Sequence, residues 1–167
     1  MGTETERKFL VDRGRWQPQG AGVLMRQGYL SSAKERVVRV RIAGPDAFVT
    51  IKGAPDEQLT RLEFEYPIPL ADAAVLLDRL CERPLLEKTR HREKLGAHTW
   101  EIDVFHGENE GLVVAEIELA DPGESFERPA WIGAEVSDDP RYYNVNLVAL
   151  PFSRWRSGPR PDAGASG

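Results

Sequence analysis

Residues 4–8 read Glu4-Thr5-Glu6-Arg7-Lys8, within the opening segment MGTETERKFLV. In an extended strand the side chains at i, i+2 and i+4 share one face. Glu4, Glu6 and Lys8 therefore stand together, and Thr5, Arg7, Phe9 and Val11 take the other parity. A half-buried strand ordinarily turns its apolar side inward and its charges outward. Periodicity alone does not say which way this charged face looks, so the answer has to come from the strands that follow.

The same alternation recurs along the chain. Arg39 and Arg41 alternate with Val38, Val40 and Ile42, and Lys52 stands on the opposite parity to Val49 and Ile51. Glu63 and Glu65, with Arg61, alternate with Leu62, Phe64 and Tyr66. Lys88, Arg90 and Arg92 share a face; Glu101 and Asp103 alternate with Trp100, Ile102 and Val104; Glu116 and Glu118 alternate with Ala115, Ile117 and Leu119. Gln27 and Tyr29 share one parity of a further run. This period of two predicts strands at 3–11, 23–31, 36–43, 47–53, 59–68, 84–95, 98–106 and 111–119, several of them separated by Gly/Pro/Asp turn signals.

An apolar stripe at helical spacing predicts a helix at 70–81, a shorter helix is expected near 124–132, and Pro140 opens a third at 140–150. Many antiparallel strands in a small chain make a sandwich or a closed barrel. With about eight strands, a barrel's interior is just wide enough for side chains or one small ligand.

The 167 residues suit one domain, here 1–152, followed by a Gly/Pro/Ser/Arg-rich tail at 153–167 expected to be disordered. A net charge of −5 argues against a general nucleic-acid partner. The single Cys81 cannot build an internal disulfide or a thiolate metal cluster. No run approaches the ~18 apolar residues of a membrane span, and no basic-then-apolar leader pattern opens the chain, so a cytoplasmic protein is expected. His91, His98 and His106 lack the i, i+4 helical spacing of a metal site, and Trp16, Trp100, Trp131 and Trp155 form no stacking motif.

Two readings of the charged parity stand side by side. In one it is a set of solvated outer faces over an apolar core. In the other the apolar parity packs outward, against helices and a possible second subunit, and the charges line an interior. Like signs are segregated by strand, which a stability-driven surface would intersperse. Such an interior must be hydrated, paired or occupied, because uncompensated buried charge is costly. It would hold eight acids (Glu4, Glu6, Glu63, Glu65, Glu101, Asp103, Glu116, Glu118) and eight bases (Lys8, Arg39, Arg41, Lys52, Arg61, Lys88, Arg90, Arg92). That balance suits a polyanion held with hard divalent cations: Arg and Lys take phosphate oxygens, and carboxylates take Mg²⁺ or Mn²⁺.

The opening pentapeptide matches an ExExK signature, and RVRI, the IKG strand end, RLEFEYPI, EKTR, WEIDVF, AEIEL and DPRYYNVNL follow in order. In that combination the chain resembles the CYTH superfamily, the triphosphate tunnel metalloenzymes, over about residues 3–150. The resemblance implies a mainly β fold with flanking helices (α+β), a closed eight-stranded antiparallel β-barrel forming a tunnel with a charged lumen. The short length looks most like bacterial inorganic triphosphatases. Lys8, Arg39, Arg41, Lys52, Lys88 and Arg90 then match phosphate-binding bases, and Glu4, Glu6, Glu116 and Glu118 match metal-side acids. Glu63, Glu65, Glu101 and Asp103 are supporting tunnel acids. Tyr29 and Lys88 resemble a tyrosine–lysine pair near the scissile phosphate.

The expected reaction is hydrolysis of inorganic triphosphate to pyrophosphate and phosphate, dependent on Mg²⁺ or Mn²⁺. Adenylyl cyclases of class IV and nucleotide or thiamine triphosphatases share the fold, so it does not fix the reaction. A polyphosphate-binding module would need the bases without the full acid set.

Overall fold

The computed structural model describes residues 2–155. Its strands are β1 (Gly2–Val11), β2 (Val23–Ala33), β3 (Arg36–Ala43), β4 (Asp46–Lys52), β5 (Thr60–Pro67), β6 (Leu86–Leu95), β7 (His98–Phe105), β8 (Val113–Leu119) and β9 (Ile132–Glu135). The helices are α1 (Leu70–Arg79) and α2 (Asn144–Ala149). The strands follow one another in the order β5-β4-β3-β2-β6-β7-β8-β1, and β1 pairs back with β5 through Gly2–Thr5, so eight antiparallel strands close a ring. The ninth, β9, pairs with β1 at Phe9 and Val11.

The apolar parity faces outward, as the second reading requires. Phe9, Trp100, Ile102, Ala115, Ile117 and Leu119 pack outside β1, β7 and β8 against Trp16, Phe126 and Trp131. Val40 and Ala47 pack under Ala73 and Leu77 of α1. Within the pentapeptide, Arg7 is the charged residue that points outward. It makes a two-pronged contact with Glu135 of β9 at 2.6 and 2.9 Å and lies over the rings of Phe9 and Phe126.

Inside the ring the facing residues change character along the strands. Glu4, Glu6 and Lys8 lead to Leu10 on β1; Arg92, Arg90 and Lys88 lead to Leu86 on β6; Glu101 and Asp103 lead to Phe105 on β7; Glu118 and Glu116 lead to Val114 on β8. Leu10, Leu86, Phe105 and Val114 cluster with Tyr142, Leu147 and Val148 from the C-terminal segment. One end of the tunnel is therefore an apolar floor sealed by that segment.

The sequence expectations differ from the structure in four places, the first being β9, which no expected strand covers. No helix forms near 124–132: Pro122, Gly123 and Pro129 interrupt it, and Phe126 and Trp131 serve as outer packing for Trp100, with ring centroids 5.6 and 5.5 Å away. The helix expected at 140–150 is split into a 3₁₀ turn at Pro140–Tyr142, an extended Tyr143 and α2. The chain also keeps structure past 152. A 3₁₀ turn covers Phe152–Arg154, and Trp155 stacks edge-on against Tyr142 and Phe152. The remaining tail, 156–167, lies outside the described residues. Among the described residues no helix is long and apolar enough to cross a membrane.

Candidate active site

The charged parity lines one cavity of about 260 Å³. Glu4, Glu6, Lys8, Tyr29, Arg39, Arg41, Lys52, Glu63, Glu65, Lys88, Arg90, Glu101, Glu116 and Glu118 all border it, as do Arg61 and Arg92. Of the expected tunnel acids only Asp103 lies behind the wall, beneath Lys88 and Arg90. The ring order sets two walls against each other. The neighbours β3, β2 and β6 carry Arg39, Arg41, Lys88, Arg90 and Arg92, while β7, β8 and β1 carry most of the acids.

Much of this charge is paired internally. Asp103, 1% exposed, accepts from Lys88 Nζ at 2.7 Å and from Arg90 Nε and its terminal nitrogen at 2.8 and 2.9 Å. Arg90 also reaches Glu116 and Glu101, each at 3.1 Å. Glu116 meets Lys8 Nζ at 3.1 Å, and Lys8 donates to the Tyr142 carbonyl at 3.2 Å. On the other side of β1, Glu4 is held by Lys52 at 2.9 Å and by Arg61 at 3.2 Å.

Among the described residues three groups escape this pairing, Arg41, Glu6 and Glu118, and Arg39 is paired only loosely. Arg41 is buried and has no carboxylate within ion-pair distance among the described residues; its Nε donates to Gln27 Oε1 at 2.8 Å. Arg39 reaches Glu65 only at 3.5 Å and donates to Thr50 Oγ1 at 3.2 Å, while its buried Nε has no hydrogen-bond partner among the described residues. Glu6 and Glu118 are register partners on β1 and β8, and among the described residues neither has a basic side chain within ion-pair distance.

The electrostatics follow from this geometry. Burial, then the repelling Arg39 and Arg90, pull the Arg41 guanidinium down to about 9. Burial lowers Lys88 to about 7; Asp103 opposes that shift, and Arg90 and Arg41 reinforce it. Glu6 goes the other way: burial, Glu116 and Glu4 push it up to about 7. Glu118, nearer the open mouth, is raised by partial burial and then by Glu4, Glu63 and Glu101. Burial alone would raise Glu116, yet Lys8, Arg90 and Lys88 together hold it well below the ordinary carboxylate range.

Whether these acids suit a divalent cation can be judged from their chemistry. Among the described residues no group of three or more carboxylate, imidazole or thiol side chains is gathered as a closed metal cage. Mg²⁺, however, is ordinarily held by one or two carboxylates, waters and substrate phosphates, not by an all-protein cage. Glu6 and Glu118 present two carboxylates on one wall, without an ion-paired base among the described residues and repelled by neighbouring acids. That donor set fits a hard cation. Glu4 and Glu116 reach the same cavity but are occupied by bases in this arrangement.

Two lining or bracing groups carry no charge and so had no signal in the charge pattern. Gln27 shares the parity of Tyr29 and is fully buried beside Arg41. Asn144, at the start of α2, accepts from Lys88 Nζ at 2.8 Å. Tyr29 and Lys88 meet through these two amides: Gln27 Nε2 donates to Tyr29 Oη at 3.2 Å and to Asn144 Oδ1 at 3.4 Å.

Residues 2–143 match the CYTH domain family. The chain is 46% identical over 156 residues to an inorganic triphosphatase of Acetivibrio thermocellus, covering 93% of this chain and 99% of that protein. An inorganic triphosphatase of Nitrosomonas europaea is 36% identical over 152 residues, covering 87% and 97%. The crystal structure of the inorganic triphosphatase NE1496 superposes with a TM-score of 0.61 at 36% identity, over 89% of this chain and 95% of that one.

Proposed function

This chain belongs to the CYTH domain family, and from that membership and the tunnel's charge we propose that it hydrolyses inorganic triphosphate to pyrophosphate and phosphate with Mg²⁺ or Mn²⁺. The observation that carries the reading is Arg41. A buried guanidinium with no carboxylate within ion-pair distance among the described residues, set beside Arg39 and Arg90, is costly unless an anion joins it. The opposite wall has the mirror excess in Glu6 and Glu118, so the two walls together suit an anion and a hard cation.

In this reading Arg39, Arg41, Lys88 and Arg90 grip phosphoryl oxygens and hold the chain of phosphates in line, with Lys8 and Lys52 on the far wall. Glu6 and Glu118 would hold the cation, with Glu4 and Glu116 joining as phosphate draws their bases away. A cation held there would supply neutralisation of developing phosphate charge and activation of water for in-line attack. Tyr29 and Lys88 stand on the basic wall as proton-carrying donors to the phosphate being displaced. Glu63, Glu65, Glu101 and Asp103 keep the bases oriented. The apolar floor leaves one open mouth, so the substrate enters end-on.

A triphosphate can satisfy bases along the whole tunnel, whereas pyrophosphate leaves some unmatched, a deficit that polar sites reject strongly. ATP must also house a nucleoside, and among the described residues Tyr29 and Tyr143 are the aromatic side chains that line the cavity, with Tyr29 assigned to the phosphate. Kinetic constants for tripolyphosphate, pyrophosphate and ATP under one metal test the reading. Tripolyphosphate should have the highest specificity constant, and an ATP constant equal to or above it would move the chain to nucleotide chemistry. The outer face of β4 and β5 exposes Ile51, Leu62, Phe64 and Tyr66, 41–55% accessible, which supports a homodimer through that face; light scattering tests it.

A further inference from the structure

We propose that Gln27 and Asn144 form an amide bridge at the inner end of the tunnel that orients Arg41, Tyr29 and Lys88 toward the substrate. The catalytic consequence rests on the hydrolase reading above; the bridge itself rests on hydrogen bonds.

The two amides have no freedom of orientation. Arg41 Nε can only donate, so the Gln27 atom 2.8 Å from it is the carbonyl oxygen. The Gln27 nitrogen then faces Tyr29 Oη at 3.2 Å and Asn144 Oδ1 at 3.4 Å. The Lys88 ammonium is likewise donor-only and fixes Asn144 Oδ1 toward itself at 2.8 Å. Two cations therefore set both amides, and both amides converge.

Each partner gains a defined direction. With its Nε engaged by Gln27, Arg41 keeps both terminal nitrogens for the cavity it lines. Tyr29 Oη accepts from Gln27, so its own proton is left to donate into the tunnel. Lys88 has Asp103 and Asn144 on two of its hydrogens, at 2.7 and 2.8 Å, and one remains. A neutral amide also braces Lys88 without adding a second carboxylate to Asp103. Because Asn144 is the first residue of α2, seating of the C-terminal segment and placement of Lys88 are one event. Gln27 and Asn144 are positioning residues, acting through the three groups they hold.

Two measurements on the full chain test this. The first is an NMR titration of the Lys88 side chain in the wild type, Asn144→Asp and Asn144→Ala. The charged groups around Lys88 (Asp103 from β7, Arg90 from β6, Arg41 from β3 and Glu116 from β8) are unchanged throughout. Asn144→Asp should raise the Lys88 midpoint by about one unit or more, and Asn144→Ala should lower it. The second is a double-mutant cycle on tripolyphosphate hydrolysis with Gln27→Glu and Tyr29→Phe. Gln27→Glu keeps an acceptor for Arg41 but draws the Tyr29 proton onto its carboxylate. It should cut kcat about tenfold with little change in KM, and the double variant should fall no further than either single change. A Lys88 midpoint unmoved in both Asn144 variants, or losses that multiply in the cycle, would overturn the bridge. If the wild type releases no phosphate, the hydrolase reading fails, while the Lys88 titration still decides the bridge.

Discussion

Glu6→Gln should make the metal-free protein more stable at pH 8 while abolishing its activity. Glu6 is half-buried, faces Glu118, and is pushed from an ordinary 4.5 up to about 7 by burial, Glu116 and Glu4. Below pH 4.5 the carboxyl is protonated in both folded and unfolded chains and contributes nothing. Between 4.5 and 7 the folded chain keeps a proton that the unfolded chain has released, so stability falls as pH rises. Above 7 the cost is fully present, at most about 3 kcal/mol, and nearer about 2 once partial solvent screening is allowed for. The amide removes that cost without changing shape, raising Tm at pH 8 by roughly 4–8 °C and leaving it nearly unchanged at pH 5. In the wild type Mg²⁺ should restore stability at pH 8, and the variant should lose most of that response. Calorimetry at the two pH values, with chelator and with Mg²⁺, measures both effects, beside a phosphate-release assay. A variant less stable than wild type at pH 8, or one still stabilised equally by Mg²⁺, would refute the reasoning.

Three further substitutions probe other parts of the tunnel. Asp103→Asn strands Lys88 without its buried counter-charge and takes one of Arg90's three carboxylates; urea denaturation should show a loss of about 3–5 kcal/mol, and a loss under about 1 kcal/mol would mean the pairs are loose. Arg41→Ala should weaken tripolyphosphate binding by about 1.5–3 kcal/mol in calorimetry at little cost to stability, since its charge has no partner; unchanged affinity would remove Arg41 from the site. Arg7→Ala should lower stability by about 1–3 kcal/mol through loss of the Glu135 contact, yet leave KM for tripolyphosphate intact, and a raised KM would contradict its outward position.

The strand series was legible because a period of two recurs in most of the strand segments, and sign segregation pointed to an interior use of the charges. The alternation could not itself say which parity was inside; Ile117 and Leu119 outside and Glu116 inside are settled by the ring's closure. Less accessible was which acids would be spare. Glu4 and Glu6 look equivalent in sequence, but the stagger between strands brings Lys52 and Arg61 to Glu4 and Glu118 to Glu6. Gln27 and Asn144 gave no charge signal. The expected helix near 124–132 failed because Phe126 and Trp131 pack outward on the ring from an extended, proline-bounded segment.

The most direct test of the central claim is ³¹P NMR of tripolyphosphate incubated with the full chain and Mg²⁺ or Mn²⁺. Pyrophosphate and phosphate should appear in equal amounts, with no further breakdown of the pyrophosphate on the same timescale and no reaction once the cation is chelated. Undiminished hydrolysis in excess chelator, or a tripolyphosphate signal that persists with metal present, would contradict it.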